Sequence, residues 1–204
     1  MTTVEPIRSR NDIRKLEALL SKQSKRNFLI FTIGINCGLR ISDILALNVD
    51  DVKDKTYIRI IEQKTGKLKK IPINSKLRPM IEEYTKNMEF DEPLFRTIFG
   101  NRMERVGAYI MFKKVCKQAG LSEHIGTHTM RKTFGYHHYK KFKDVAMLQK
   151  IFNHSHPQVT LRYIGIEQDQ IDESYENFIL YRLNLLYLYI FTSSLLFFYT
   201  STYF

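Results

Sequence analysis

The sequence predicts a mainly α-helical domain with one small antiparallel β-hairpin. Apolar residues recur at helical spacing before residue 50 and again after residue 100, whereas two short β-rich runs flank a glycine between residues 56 and 73. The chain has 204 residues, 44% of them hydrophobic, which is enough for one well-buried core. We expect this domain to span residues 1–178, followed by an apolar C-terminal tail at residues 179–204.

Helices are predicted at the start of the chain. One begins after Ser9 and ends near Gln23, and the nearly continuous apolar run 27–37 predicts a buried helix that Gly38 ends. A third, short helix is predicted over residues 41–47.

Arg40 falls at the glycine-marked junction between two of these buried helices. A charge is costly there unless an anionic partner accompanies it. Asp43 follows three residues later, so a structural ion pair across one helical turn is an alternative to a functional role.

The β-rich runs 56–61 and 68–73 predict a hairpin whose connection contains Gly66. Its tip is strongly basic, with lysines at 64, 67, 69 and 70. Two interpretations remain open: a solvated hairpin, or a finger that carries an ammonium group into a nucleic-acid groove.

Further helices are predicted from Ser75, over residues 103–119 and over residues 144–152. Asp91 to Phe95 forms a connection, because its proline and acidic residues oppose regular structure. Gly120 ends the second of these helices.

The stretch from His124 to Gly165 holds the densest set of reactive side chains. Thr127 is a candidate N-cap, which would place His128 and Arg131 on one helical face. His124 and His128 are spaced as a metal-binding pair, but no third ligand of matching character lies nearby in the sequence. We therefore predict neither a metal nor a cofactor.

The formal charge of +11, spread along the chain, indicates a polyanionic partner, with nucleic acid favoured over an anionic membrane. A basic protein without such a partner is the alternative. The two cysteines lie far apart and no signal sequence precedes the domain, so we expect a reduced, cytoplasmic protein.

Taken together, these residues resemble the catalytic domain of the tyrosine recombinases, the phage integrase family. Five features occur in the family's order, and Asn153 stands where the family usually has glycine. They are Gly38-Leu39-Arg40 with Asp43, Lys64 eight residues before Pro72, His128-Thr129-Met130-Arg131, Asn153-His154-Ser155, and Tyr163 nine residues after His154. The resemblance covers most of residues 10–178.

The resemblance implies a metal-independent DNA strand transferase. Tyr163 would attack phosphorus and form a 3′-phosphotyrosine, while Arg40 and Arg131 clamp the two non-bridging oxygens. Lys64 would protonate the 5′ leaving oxygen.

The remaining predicted residues support these groups. His128 would relay a proton at the nucleophile, His154 would donate a hydrogen bond to a phosphate oxygen, and Asp43 would orient Arg40. Direct DNA contacts are predicted for the remaining basic residues of the motifs, namely Lys67, Lys69, Lys70 and Lys132.

Double-stranded DNA is thus the expected partner, bound by a homo-oligomer for integration, excision or inversion. The first arginine motif begins by residue 38, so we expect no room for the N-terminal DNA-binding domain of larger family members. An accessory DNA-binding protein is therefore a candidate partner. A topoisomerase of the same chemistry and a non-catalytic regulator of recombination sites are the alternatives. For residues 179–204 a membrane anchor, a helix donated to a neighbouring subunit and an extension outside the fold remain open.

Overall fold

The computed structural model describes residues 4–121 and 124–178, and it confirms the predicted fold class: helices with one two-stranded antiparallel sheet. In chain order the described elements are α1 (Arg10–Gln23), α2 (Lys25–Cys37), α3 (Ile41–Ala46), a 3-10 turn (Val49–Asp51), β1 (Tyr57–Ile61), β2 (Leu68–Pro72), α4 (Leu77–Thr85), α5 (Arg105–Gln118), α6 (Thr127–Phe142), α7 (Val145–Phe152), α8 (Pro157–Ile164) and α9 (Ile166–Asn177).

The main core is built around α2, whose buried side chains include Leu29, Ile30, Phe31 and Ile33. Ser24 lies between α1 and α2, and its hydroxyl accepts a hydrogen bond from the Asn27 amide at 3.3 Å. Because this serine caps the second helix, the two helices follow each other directly and bury their apolar faces together.

Gly38 ends α2 in the left-handed region, at φ 60°. A Cβ atom at this position would lie 2.4 Å from the Phe134 ring, so both the backbone angle and the packing require glycine. The tight turn places Arg40 at the N-cap of α3, where its side chain points away from the apolar core into a polar pocket.

The hairpin forms as predicted, with Tyr57 opposite Pro72 and Ile61 opposite Leu68. Its connection spans residues 62–67, and Gly66 adopts φ 64° while its amide donates to the Glu62 carbonyl at 2.8 Å. This tight closure fixes where the basic tip of the hairpin leaves the sheet.

Two predicted helix starts were displaced by capping groups. Helix α4 begins at Leu77, because the Asn74 side chain accepts hydrogen bonds from the amides at 76 and 77. At α6 the cap is Gly126, not Thr127, and the Gly126 amide donates to the Thr129 hydroxyl at 3.1 Å.

Helix α6 packs against α2 on one side and against α7 and α8 on the other. A second cluster of buried side chains lies at the latter contact and includes Leu148, Phe152 and Ile164. Helix α8 was not predicted as a helix; it starts with Pro157 at its first position and ends at Gly165, which has φ 78°. This short helix is what positions Tyr163.

The chain divides into two compact units, Met1–Ile166 and Glu167–Phe204. The described part of the second unit, residues 167–178, continues helix α9. The apolar tail 179–204 lies outside the described residues, so the domain boundary at 178 and the roles considered for the tail stay predictions. In the described ranges, no helix combines the length and apolarity needed to cross a membrane.

Candidate active site

Arg131 lies at the centre of the site, in the first turns of α6, with 3% of its surface exposed. Its Nη1 donates to the Gly38 carbonyl, and its Nη2 donates to the Phe152 carbonyl at 3.1 Å. The guanidinium also lies over the Phe152 ring, 4.4 Å from the centroid. One side chain therefore holds the loop after α2 against the C-terminal end of α7.

Arg40 faces the same region from the N-terminus of α3. Its Nη1 lies 3.0 Å from Glu62 Oε1 and 3.8 Å from Asp43 Oδ2. Within the part of the chain that the structure describes, this buried nitrogen has no partner with hydrogen-bond geometry. The predicted pairing with Asp43 thus exists as a longer ion pair, and the shorter ion pair of Arg40 is with Glu62.

Asp43 is fully buried, and its Oδ1 accepts the amide hydrogen of Gln63 at 3.0 Å. The carboxylate consequently links α3 to the start of the hairpin turn. This contact agrees with the supporting role expected for Asp43, which orients neighbours and lies beside Arg40.

Glu62 belongs to the site, although we did not predict it from the sequence. Its carboxylate accepts from the Thr65 hydroxyl at 2.8 Å and lies 3.5 Å from the Lys69 ammonium. Burial alone would raise its pKa, but the Thr65 hydrogen bond and the charges of Lys69 and Arg40 together lower the pKa of Glu62. The only signal in the sequence is an acidic residue at the end of a strand within a basic hairpin.

His154 and Tyr163 meet edge to face, with ring centroids 5.1 Å apart and planes at 74°. His154 follows Asn153, which ends α7 in the left-handed region, and its Nδ1 lies 3.0 Å from the Thr160 hydroxyl. Burial, reinforced by the positive charges of Arg131, Arg40 and Lys64, lowers the pKa of His154. The ring is therefore neutral at pH 7 before an anion arrives.

Tyr163 also packs against Phe152, at 5.5 Å between centroids. Burial raises the pKa of the Tyr163 phenol, and the charge and hydrogen bond of Arg131 only partly oppose that rise. The phenol consequently keeps its proton at neutral pH and needs an acceptor before it can act as a nucleophile.

His128 lies one turn before Arg131 on α6 and is exposed. Partial burial, followed by the charges of Arg131, Lys132, Arg105 and Arg40, lowers the pKa of His128. A neutral imidazole at an open edge of the site is suited to accept a proton.

Three of the predicted lysines, Lys64, Lys67 and Lys70, are exposed on the hairpin. Lys64 is exposed at the hairpin turn, and its charge reaches His154. Lys67 donates to the Asn153 side chain at 2.9 Å, and the Lys70 ammonium lies over the Tyr57 ring at 4.0 Å.

The ammonium groups of Lys69 and Lys132 contact other residues of the protein. Lys69 donates to the Ile151 carbonyl at 2.7 Å. Lys132 is 6% exposed and lies over the Tyr163 ring, 5.2 Å from the centroid. Burial lowers the pKa of both lysines. Lys69 and Lys132 thus contact residues of the site within the protein, and the DNA contacts expected of them stay predictions.

An open cavity of about 960 Å³ lies beside the site. Its walls include Ser42, Gln63, Arg105, Tyr109 and Thr127, so it runs from α3 and the hairpin to α5 and the start of α6. In the described ranges, no group of three or more histidine, cysteine or acidic side chains is placed to hold a metal ion.

The chain is similar to known proteins in sequence and in fold. Residues 9–169 match the model of the phage integrase family. The chain is 45% identical over 179 residues to the probable integrase/recombinase YoeC of Bacillus subtilis (strain 168), covering 87% of this chain and 98% of that protein.

A second relative is the tyrosine recombinase XerD of Corynebacterium glutamicum, 30% identical over 142 residues. That match covers 67% of this chain and 47% of XerD, so the chain spans about half the length of such relatives. The fold also matches the crystal structure of the XerH site-specific recombinase bound to its difH substrate, with a TM-score of 0.65 and 19% identity. This match covers 87% of this chain and 54% of the XerH chain.

Proposed function

Because the chain belongs to the phage integrase family, we propose that it is a site-specific DNA recombinase that cleaves and rejoins double-stranded DNA through a 3′-phosphotyrosine. The observation that carries the proposal is the contact of Tyr163 with Arg131 and His154, in the region that Arg40 also faces. A nucleophile, two fixed cations and a neutral imidazole around one open position are what phosphodiester cleavage requires.

The two arginines bind the scissile phosphate. The guanidinium of Arg131 is fixed by its bonds to Gly38 and Phe152, and Arg40 supplies the second cation from α3. Their donors face the negative charge that grows on the phosphate oxygens in the transition state. His154 adds a hydrogen bond to one of these oxygens.

The covalent step exchanges one ester for another. The Tyr163 oxygen forms a bond to phosphorus as the bond from phosphorus to the 5′ oxygen breaks. The phenolic proton passes to His128, and the leaving oxygen takes a proton from Lys64. Attack by a 5′ hydroxyl reverses every transfer, so the ester energy is kept and the reaction needs no cofactor.

Exchange of strands between two duplexes requires more than one protomer on DNA, and a homo-oligomer is therefore part of the proposal. We include an accessory DNA-binding protein as a second component of the proposal. Cleavage by a single chain on one duplex is independent of both.

A nicked suicide duplex tests the cleavage step, because the short fragment diffuses away and the covalent adduct accumulates. The wild type and Tyr163→Phe would be incubated in EDTA with DNA that flanks the gene, and adducts would be separated on a denaturing gel. We expect an adduct with the wild type and none with Tyr163→Phe, with equal DNA binding in a gel shift. Tyr84→Phe, a half-buried tyrosine of α4, is the matched control and should behave as the wild type.

Two results would contradict the proposal. Absence of an adduct on DNA that the wild type binds would indicate a non-catalytic regulator, and an adduct that persists in Tyr163→Phe would assign the nucleophile to another tyrosine. Relaxation of supercoiled DNA that lacks any bound site would instead favour the topoisomerase.

A further inference from the structure

The hairpin turn that carries Lys64 is closed on Glu62. The Glu62 amide donates to the Lys67 carbonyl at 3.0 Å, and its carbonyl accepts the Gly66 amide at 2.8 Å. The Glu62 carboxylate then accepts from the Thr65 hydroxyl at 2.8 Å. Backbone and side chain of one residue thus hold both sides of the turn.

Lys64 itself is exposed at this turn, and within residues 4–121 and 124–178 its ammonium has no hydrogen bond or ion pair. Its side chain is flexible, so the position of its amine depends on where the backbone of the turn is held. The residue after Lys64 is Thr65, whose hydroxyl donates to the Glu62 carboxylate.

The same carboxylate also reaches out of the turn. Its Oε1 lies 3.0 Å from Arg40 and 3.5 Å from Lys69. Lys69 in turn donates to the Ile151 carbonyl at the end of α7. Glu62 therefore joins the Lys64 turn to one arginine of the phosphate site and, through Lys69, to the helix that precedes His154.

A carboxylate with 3% exposure beside a phosphate site is costly to bury, and its charge repels the substrate. Two roles with opposite consequences would explain its presence. If Glu62 competes with the phosphate for Arg40, it slows cleavage. If Glu62 positions the turn, it promotes cleavage. A group that only competes for Arg40 would need no other contact. The second oxygen of the Glu62 carboxylate instead accepts a hydrogen bond from Thr65 in the turn, which favours the positioning role.

We propose that Glu62 and Thr65 are positioning residues that hold the hairpin turn so that the Lys64 ammonium reaches the 5′ oxygen of the leaving strand. The inference rests on the proposed function, in which Lys64 is the proton donor. The proton moves from Lys64 Nζ to the 5′ oxygen while the bond between that oxygen and phosphorus breaks.

Sulfur in place of the 5′ bridging oxygen isolates this step. A thiol ionises far more readily than an alcohol, with a pKa of about 8.5 for cysteine. A 5′ thiolate leaves without protonation, so a displaced proton donor no longer slows the reaction. A displaced arginine still does.

The experiment measures adduct formation on matched oxygen and sulfur suicide substrates with the wild type, Lys64→Ala, Thr65→Val and Glu62→Gln. On oxygen, Lys64→Ala should lose about 100-fold, and Thr65→Val should lose about tenfold, as expected for one hydrogen bond. On sulfur, both should cleave at the wild-type rate. Thr56→Val, an exposed threonine at the other end of the hairpin, should cleave both substrates normally.

Equal loss on both substrates by Thr65→Val, or no loss on either, would overturn the inference. Faster cleavage of the oxygen substrate by Glu62→Gln would assign Glu62 as a competitor for Arg40. Glu62→Gln should instead slow cleavage of oxygen, with incomplete recovery on sulfur because Arg40 also loses its ion pair.

Amide hydrogen exchange tests the same inference without DNA, whether or not the wild type cleaves. Thr65→Val and Glu62→Gln should speed exchange at Gly66, whose amide is bonded to the Glu62 carbonyl, and leave the amides of β1 unchanged. Unchanged exchange at Gly66 would refute a positioning role. Failure of the proposed function would show separately, as the absence of any adduct with the wild type on either substrate.

Discussion

The hydroxyl of Thr160 determines how the His154 ring is oriented. It is fully buried in α8, one turn before Tyr163, and its oxygen lies 3.0 Å from His154 Nδ1. Once that nitrogen is engaged, the imidazole plane is fixed and Nε2 is the nitrogen left for a phosphate oxygen. The sequence offered no chemical reason to select this residue among the other threonines.

We therefore predict that Thr160→Val slows adduct formation about tenfold, the typical effect of one lost hydrogen bond. Valine has nearly the same shape, so the fold and DNA binding should be retained. Adduct formation under saturating DNA is the measurement, since the loss should appear in the maximal rate and not in binding.

Thr32→Val is the matched control for this prediction. Thr32 is an equally buried helical threonine, and its hydroxyl donates to the Phe28 carbonyl in α2. If both variants lose activity equally, the loss comes from burying valine in a helix and the orienting role of Thr160 is refuted.

At the scale of elements, the contact of α6 with α7 and α8 determines the shape of the site. Gly135 allows this contact: a Cβ atom there would lie 2.6 Å from Ile164 and 2.7 Å from the Phe152 ring. Both neighbours are buried; Phe152 is the last residue of α7, shortly before His154, and Ile164 follows Tyr163 on α8. Close approach at Gly135 therefore affects how near α6, which carries Arg131, lies to Tyr163.

Gly135→Ala should destabilise the domain by about 1–3 kcal/mol, as overpacking of a core usually does. Urea unfolding followed by circular dichroism measures this change. The control is Gly107→Ala in α5, where the nearest atom would be Met103 Cε at 3.7 Å. That exposed helical glycine should gain about 0.5–1 kcal/mol on substitution. Equal stability of Gly135→Ala and the wild type would mean that α8 moves freely away from α6.

Sequence patterns predicted most elements because helices and hairpins leave local signals. The run 27–37 and the glycine-containing hairpin were evident from periodicity and turn residues alone. Helix α8 was missed although the sequence carries local signals for it, with Pro157 at the first helical position and Gly165 directly after the last. Its eight residues form only about two turns, so these signals were easily overlooked.

The candidate site shows the same limit. The spacing of the motifs selected Arg40, Arg131, His154 and Tyr163, which the structure brings into one region. Glu62 and Thr160 were missed because their importance comes from contacts with residues chosen for other reasons. Burial of Lys132 was likewise invisible, since a lysine beside an arginine usually lies on the surface.

For the whole molecule, two partly buried histidines make stability depend on pH. Burial is the first cause that lowers the pKa of His138 and of His154 below the usual 6.5. Below about pH 6.5 the unfolded chain therefore binds protons that the folded chain resists. The full stability is present above this pH and falls as the pH drops through it. Glu62, whose pKa is lowered from 4.5, adds a further loss only at more acidic pH.

We predict that the urea midpoint decreases between pH 7.5 and pH 5.5, before the carboxylates titrate. His138→Phe should reduce the decrease, because His138 packs between the rings of Phe134 and Phe142 and its buried Nδ1 has no hydrogen-bond partner among the described residues. Substitution of the exposed His156 by glutamine provides the comparison. A midpoint that is constant over this range would contradict the assignment.

The two hydrogen bonds of Arg131 also bear on when the protein becomes active during its synthesis. One acceptor, Gly38, lies 93 residues before Arg131, and the other, Phe152, lies 21 residues after it. A ribosome must therefore release the chain past α7 before the guanidinium has both anchors, and past α8 before Tyr163 can join the site. On the proposed function, a partly made chain carries basic residues that attract DNA but lacks the geometry for cleavage.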